Sequence, residues 1–443
     1  RNKILATGLI IEAFLYEEQT RRGIALRHFE DMNDVADHCT ICHKCLTPCP
    51  VNIDFGDVTI RMRKILEERG NKRTTPAVTA AMAFLNTTTP GTIHLLHTLL
   101  ARWGFRGISL GHRLAKMAGL IKPRLPAATT EVPPFTQQLV ELVRRPIEVD
   151  FPRQGFREAL QLEDRSRVPI IRQPQQADSS EAVFYFPGCG SERLFSDIGL
   201  ATIAMLYHNG AQVILPPGYL CCGYPQTSNG MAERGKAITT ENRVLFHRIA
   251  NTLNYLDINT VLVSCGTCMD QLLKYEFELI FPGCRLLDIH EYLLERGVTL
   301  DGATGRKYLY HDPCHTPMKT HPPMQVAQQL TGSEVLLSDR CCGESGTLAA
   351  SRPDIATQLR FRKSEELVSG INALSGSSRA QPQQTKLLTS CPACQQGLMK
   401  FRSETGLQTD YIVMEMANQL LGAEWQQGFI DEIKRQGIER VLL

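Results

Sequence analysis

One cysteine pattern is written twice in this chain, and it constrains the fold more than any other feature. The first copy is Cys189, the pair Cys221-Cys222 followed by Gly223, and Cys265-x-x-Cys268; the second is Cys314, Cys341-Cys342 followed by Gly343, and Cys391-x-x-Cys394. Equivalent cysteines lie 120 to 126 residues apart, the period of a duplicated domain and too long for a solenoid repeat. Ten of the 15 cysteines belong to the pattern. Thiolates are soft ligands that select zinc, copper(I) or iron–sulfur clusters. Four cysteines suit one tetrahedral zinc. Five per copy, two of them adjacent, suit neighbouring irons of one cluster better.

The backbone context repeats as well. Val183-Phe184-Tyr185-Phe186, Val213-Ile214-Leu215 and Val261-Leu262-Val263 read as short strands ahead of Cys189, Cys221 and Cys265. Tyr308-Leu309-Tyr310, Val335-Leu336-Leu337 and Leu387-Leu388 do the same ahead of Cys314, Cys341 and Cys391. Each cysteine group thus follows the C-terminal end of an apolar strand and precedes a helical stretch, which is where open α/β sheets build sites. The expected fold class is α/β: a helical ferredoxin-type module, then two duplicated α/β domains with short parallel-type sheets.

These residues resemble the cysteine-rich CCG domain of heterodisulfide reductase. The same tandem domain occurs in the iron–sulfur subunits of glycolate oxidase, L-lactate utilisation systems and anaerobic glycerol-3-phosphate dehydrogenase. The resemblance covers about residues 182–420. It implies iron–sulfur binding at these cysteines, with one cluster per copy. In the heterodisulfide reductase branch that cluster is a non-cubane [4Fe–4S]. The copies differ in internal spacing, with 31 and 42 intervening residues in the first and 26 and 48 in the second, so cubane and non-cubane types both stay open.

Upstream lies Cys39-x-x-Cys42-x-x-Cys45-x-x-x-Cys49-Pro50, the bacterial ferredoxin run. In two-cluster ferredoxins the fourth cysteine serves the other cluster. That rule predicts Cys39, Cys42 and Cys45 on one cubane and Cys49 on another, with a companion motif upstream of Arg1. The alternative is a single cubane held by all four. A start at Arg1, without Met and inside an amphipathic run over residues 1–38 that reads as helix, points the same way.

Composition bounds the rest. The length of 443 residues allows two or three domains, and a formal net charge of +2 argues against a nucleic-acid binder. Clustered C-x-x-C spacings in a long chain favour metal over disulfides, so free thiolates imply a reducing, cytoplasmic setting. Residues 69–130 contain no Asp or Glu but nine Lys or Arg. Two helices are expected there, around Val78–Leu85 and from Ile93 towards Leu120. The second bears Trp103 and several Arg, which suits an interfacial membrane contact or, equally, packing on a partner. The expected division is a ferredoxin-type module at 1–68, a basic amphipathic segment at 69–125, a Pro-rich connector at 126–180 with a flexible end at Gln173–Ser180, CCG domains at 181–300 and 301–425, and a C-terminal helix at 426–443. A polar run, Ser369–Gln384, reads as a surface loop.

Other residues read more quietly. Cys284 is expected to be a buried free thiol. His311 and His315 flank Cys314 and are candidates for tuning a cluster; His43 reads as a solvated or sulfur-facing bystander. Gly223 and Gly343 are expected to let backbone approach a cluster. No dinucleotide fingerprint or P-loop occurs, and catalytic residues stay unassigned. The resemblance implies an FAD-containing oxidase domain, partner or upstream, as electron donor. The expected function is electron transfer from that flavin, reduced by a 2-hydroxy acid of D-lactate or glycolate type, to a quinone or other acceptor, with a possible peripheral contact on the inner face of the cytoplasmic membrane. The alternative is heterodisulfide-reductase-like thiol/disulfide chemistry at the CCG sites.

Overall fold

Short runs of β-branched, aromatic and aliphatic residues, buried on both faces, build two sheets. In this computed structural model residue 8 and residues 31–443 are described, apart from 128–131, 148–151, 153, 176–179 and 345–346. Ten strands are present among the described residues: β1 (Arg167–Ile171), β2 (Ala182–Phe186), β3 (Gln212–Ile214), β4 (Ile258–Val263), β5 (Arg285–Asp288), β6 (Lys307–His311), β7 (Val335–Leu337), β8 (Thr385–Thr389), β9 (Gln408–Tyr411) and β10 (Ile438–Leu442). The first sheet runs β10-β1-β3-β2-β4-β5 and the second β7-β6-β8-β9. The inner order β3-β2-β4-β5 is parallel throughout and is repeated by β7-β6-β8-β9. The cysteine duplication is therefore a duplication of topology. All five residues of β2 and of β8 are buried, as parallel strands with covered faces require.

Helices cover the faces. Ser196–His208 and Ala232–Thr252 are crossovers of the first copy, and Pro323–Thr331 and Pro353–Ser375 those of the second. One core cluster joins the copies, with Tyr185 and Leu206 from the first packed in the same body as Tyr310, Leu388 and Tyr411 from the second.

The six strands read from sequence are present. Three expectations need correction. The connector contains β1, and the tail is helical only over Trp425–Gln436 before β10. Both strands pair antiparallel at one edge of the first sheet, so the end of the chain completes the first copy. The polar run from Ser369 is helix as far as Ser375. The expected helix over 1–38 lies mostly outside the described residues, of which Asp31–Asp37 is helical; part of Gln173–Ser180 lies outside them too.

Helices form where the Thr-Pro pairs allow. Thr75 caps Pro76–Asn86 through its hydroxyl, and Pro90 opens the next helix, where its fixed φ and missing N–H cost nothing. That helix continues through a wide turn at His97–Gly104 into Phe105–Met117. Among the described residues no helix is long and apolar enough to cross a membrane.

Candidate iron–sulfur site

Every cysteine of the duplicated pattern sits beyond the C-terminal end of a parallel strand: Cys189 after β2, Cys221-Cys222 after β3, Cys265 after β4, and Cys314, Cys341-Cys342 and Cys391 after β6, β7 and β8. Cys221, Cys222, Cys265, Cys268, Cys342, Cys391 and Cys394 are buried; Cys189, Cys314 and Cys341 are half-buried. The thiols form a continuous run. In the first copy Cys189 neighbours Cys221, Cys221 neighbours Cys222, Cys222 neighbours Cys268 and Cys268 neighbours Cys265, each close enough to act on the next thiol's protonation. Cys265 reaches Cys391 of the second copy, and the run goes on through Cys394, Cys342 and Cys341. The Cys342 and Cys394 sulfurs are 3.6 Å apart.

Such crowding splits the protonation. Cys221, Cys265 and Cys342 each lie between two neighbouring thiols that favour their thiolate form, and are held well below the ordinary thiol range. Their neighbours Cys189, Cys222, Cys268, Cys341, Cys391 and Cys394 are pushed above it by the same hydrogen bonds and by burial. A row of close sulfurs that cannot all ionise is a donor set for a thiophilic cation or cluster, and iron–sulfur clusters take thiolates. The residues present fit that group.

The seam between the copies is built twice. Gly266, inside the first C-x-x-C, lies so close to the second copy that a Cβ there would meet the His315 carbonyl oxygen at 1.5 Å. Pro392, inside the second C-x-x-C, lies 3.0 Å from the Cβ position of Gly190. Each C-x-x-C loop thus presses on the loop that follows the other copy's first cysteine. A tyrosine–serine pair supports each loop: Tyr185 Oη and Ser264 Oγ are 2.7 Å apart, and Tyr310 Oη and Ser390 Oγ 3.0 Å apart. Tyr411 donates to both serine carbonyls. These residues were missed in the sequence. The signal was there, since each tyrosine precedes its first cysteine by four positions and each serine precedes its C-x-x-C.

The surroundings of the two pairs differ. After Cys221-Cys222 the side chains are Tyr224 and Gln226, and Tyr275 donates to the Cys222 carbonyl at 3.0 Å. Arg193 adds a buried charge that opposes the rise at Cys189 and adds to the lowering at Cys221. Its Nη1 donates to the carbonyls of Phe84, Leu85 and Thr87, while Nε and Nη2 are buried with no partner among the described residues. After Cys341-Cys342 stands Glu344, paired with Arg360 at 2.8 Å and Lys400 at 2.7 Å. A ring nitrogen of His311 lies with the Cys342 and Cys394 sulfurs in one group within 4.8 Å, and its Nδ1 is 2.9 Å from the Ser338 carbonyl. A surface cavity of about 450 Å³ opens beside Cys341, lined by Arg340, Leu359, Arg362 and Glu365.

The Cys39–Cys49 loop docks on this seam. Backbone N–H groups of Ile41, Ile53 and Phe55 donate to the sulfurs of Cys39, Cys49 and Cys45 at 3.3–3.4 Å. His315 ties the loop down: its Nε2 is 2.7 Å from the Ile41 carbonyl and its Nδ1 2.6 Å from Asp270. Tyr224 reaches the same ring at 3.2 Å. Lys44 donates to the Asp339 carbonyl beside the second pair. His315 therefore holds the ferredoxin-type loop against both copies. His311 alone of the two histidines faces CCG sulfurs. His43 is no bystander: it bonds Asp54 at 2.5 Å and meets the His315 ring edge-on.

Gly223 and Gly343 have positive φ, 89° and 74°. Gly343 donates its backbone N–H to the Cys341 sulfur at 3.3 Å and Gly223 bonds Cys221 in the same way, so backbone does approach the sulfurs at both pairs; the Cβ positions of the two glycines lie against the crossover helices, at Gly235 O and Arg360 Cγ. Gly188 faces a sulfur as well: a Cβ there would meet Cys268 Sγ at 2.6 Å. Cys284 is half-buried, packed beside a hydrophobic cluster of the first copy.

Comparison with known proteins agrees with this architecture. Residues 183–273 and 308–398 match the cysteine-rich domain family CCG, and residues 399–443 match a domain of unknown function, DUF3400. An uncharacterized iron–sulfur protein of Methanococcus maripaludis is 26% identical over 248 residues, 54% of this chain and 46% of that protein. A subunit of the fumarate reductase (CoM/CoB) of Methanothermobacter marburgensis is 27% identical over 232 residues, 50% of this chain and 42% of its own. A probable glycolate oxidase iron–sulfur subunit of Bacillus subtilis is 26% identical over 192 residues, 39% and 42% respectively. The chain spans about half the length of these curated relatives. No solved structure matches it. Two matched segments, each carrying the same five cysteines on the same parallel strand order, make residues 183–273 and 308–398 a tandem pair of CCG cysteine-rich domains.

Proposed function

We propose that this chain is the iron–sulfur electron-transfer part of a flavin-linked 2-hydroxy-acid oxidoreductase, of glycolate or D-lactate type. The observation that carries this reading is continuity: the Cys39–Cys49 loop is pinned by His315 onto a seam where ten further cysteines converge. Clusters bound at these cysteines supply one-electron carriers. Cys39, Cys42 and Cys45 would hold one ferredoxin-type cubane and Cys49 would serve a second, the alternative being a single cubane held by all four. The two five-cysteine sets would hold one cluster each. The protein's own part is to exclude water, to bond the sulfurs of the loop through backbone N–H groups, and to set local charge through Arg193, His311 and the Glu344 pairs. An FAD-bearing oxidase domain donates the electrons, and a quinone at a membrane surface accepts them. The likeness to a glycolate oxidase iron–sulfur subunit supports this choice.

A second reading has its own observation. The cavity beside Cys341, lined by Arg340 and Arg362, would admit a small anionic disulfide to the second site, and thiol/disulfide chemistry would follow. The likeness to the CoM/CoB fumarate reductase favours it.

The test is anaerobic iron and acid-labile sulfide analysis with EPR, followed by turnover with a reduced flavin donor. Reducible clusters whose electrons pass to a quinone analogue support the first reading; electrons passing only to a disulfide support the second. A colourless protein holding zinc overturns both.

A further inference from the structure

Eleven of the 21 exposed large apolar side chains among the described residues fall between positions 95 and 139. Six of them, Leu95, Leu99, Trp103, Leu110, Leu114 and Met117, lie on the helix that runs from Pro90 through the wide turn to Met117, and are 50–77% exposed. Their spacings of three, four and seven put them along one side of that helix. The opposite side is spoken for: Ile93 is buried with Phe84 and Tyr219, and Gly111 packs on Val143. The neighbouring helix Phe135–Val143 extends the apolar strip with Phe135, 75% exposed. A strip of this size outlasts what an isolated surface leucine would explain.

The charge around the strip decides what covers it. Arg106, Arg113 and Lys116 are exposed on the same helix, with Lys122 and Arg124 just beyond. The Arg106 guanidinium lies 6.0 Å from the Trp103 ring centroid. No acidic residue occurs between 69 and 130. Two carboxylates, Glu158 and Glu163, meet the start of this helix at His94, and the charges beyond it along the stripe are the helix's own cations; an apolar stripe with Trp in that setting complements the anionic headgroups and acyl boundary of a bilayer. We propose that the outer side of the Pro90–Met117 helix docks on an anionic lipid surface, the helix lying in its plane.

The position gives the docking a purpose. The wide turn His97–Gly104 packs against Gly190–Leu194, the segment that follows Cys189. Arg193 of that segment grips the carbonyls of Phe84, Leu85 and Thr87, which lead into the helix. Only one helix thickness, about 10 Å, then separates the Cys189 loop from the lipid. A membrane quinone would meet the first site there; this last step rests on the proposed electron-transfer function, whereas the docking does not.

The test is sedimentation of the full, anaerobically reconstituted chain with vesicles of phosphatidylcholine, with and without a quarter of phosphatidylglycerol. Binding to the anionic vesicles should be at least about tenfold tighter than to the neutral ones and should weaken in high salt. Trp103→Glu/Leu110→Glu should abolish it. Arg106→Gln/Arg113→Gln/Lys116→Gln should weaken binding to anionic vesicles by about tenfold or more without changing the neutral control. All these side chains are exposed, and unchanged iron content and far-UV circular dichroism will show that the variants fold. The proposal is overturned if the wild type ignores both vesicles, or if the glutamate variant binds as the wild type does. It is equally overturned if that variant instead releases an FAD-bearing partner while lipid has no effect, since the strip would then be a protein interface. Vesicle binding without quinone reduction would leave the docking standing and refute the quinone as acceptor.

Discussion

The two CCG copies share topology, cysteine order and tyrosine–serine supports, yet they are dressed differently. Around the first pair the side chains are aromatic and amide, Tyr224, Tyr275, Asn242 and Gln226, with Arg193 as the nearby buried cation. Around the second they are ionic: Glu344 with Arg360 and Lys400, and Lys363 with Glu366 beside His311. Duplication preserved what a cluster needs for ligation, namely strand ends and cysteines. It released what sets the cluster's energy, since charge, burial and hydrogen bonding are the levers on potential. The difference teaches that one scaffold can set two like cysteine groups in surroundings of unequal charge.

The shared part breaks hardest. Gly266→Ala would drive a Cβ into the His315 carbonyl, which stands 1.5 Å from its position. The cost should be about 3 kcal/mol or more, at the upper end of overpacking. The mirror change, Gly190→Ala, meets only Pro392 carbons at 3.0 and 3.2 Å, and should cost about 1 kcal/mol. Denaturation midpoints and iron content measure both. Equal effects would show that the seam is more symmetric than its contacts.

The unequal part comes next. Glu344→Gln leaves Lys400 and Arg360 without their carboxylate partner, and breaking a buried pair from one side costs about 3 kcal/mol. The matching position in the first copy is Tyr224, whose hydroxyl makes one 3.2 Å contact with His315. Tyr224→Phe should cost only about 1 kcal/mol. Only the second-site EPR signal should move in Glu344→Gln.

How much of this could be read in the chain depends on the range of the interaction. Strands such as Val261-Leu262-Val263 were legible because both their faces are buried, so the run is continuously apolar. β1 was hidden because Pro169 sits inside it, within a Pro-rich stretch. Pro is tolerated near edges, and only the late strand β10 turns β1 into an inner strand. β10 was hidden because Ile438-Glu439-Arg440-Val441-Leu442 continues the pattern of the helix before it. The cysteines were legible from spacing alone. Their convergence was not, because Gly266 meets His315, and Cys265 meets Cys391, only when two sheets pack. His315 was read as a tuning residue on the strength of its neighbour Cys314; its geometry makes it the clamp of the Cys39–Cys49 loop.

Charge on the first site can be tested singly. Arg193→Gln removes the cation that acts on Cys189 and Cys221. A nearby positive charge favours the reduced, more negative state of a cluster, so the first-site potential should fall and the second should stay put. Potentiometric EPR separates the two. Because Arg193 also holds three carbonyls, Arg193→Lys serves as the control: retained charge with a restored potential identifies electrostatics, whereas a potential as low as that of Arg193→Gln identifies structure.

The smallest effect is a pH dependence confined to the second site. Burial, and next the Arg360 charge, push the Lys400 amine down to about 8 against the opposing pull of Glu344. Its positive charge is therefore present below pH 8 and lost above it. Losing that charge disfavours the reduced state, so the second-site potential should drop as pH rises through 8, by an amount on the order of 1 kcal/mol or less given the adjoining carboxylate. Around the first pair no lysine takes the place of Lys400 among the described residues, and burial raises the Tyr275 hydroxyl out of the range. Stability moves the opposite way. A folded-state value below the ordinary 10.5 means that the unfolded chain holds more protons between about 8 and 10.5, so stability rises with pH in that window. Redox titrations at successive pH values from neutral to alkaline, repeated in Lys400→Gln, decide the matter. A drop at the second site that vanishes in the variant sharpens the contrast between the copies, and parallel shifts at both sites would erase it.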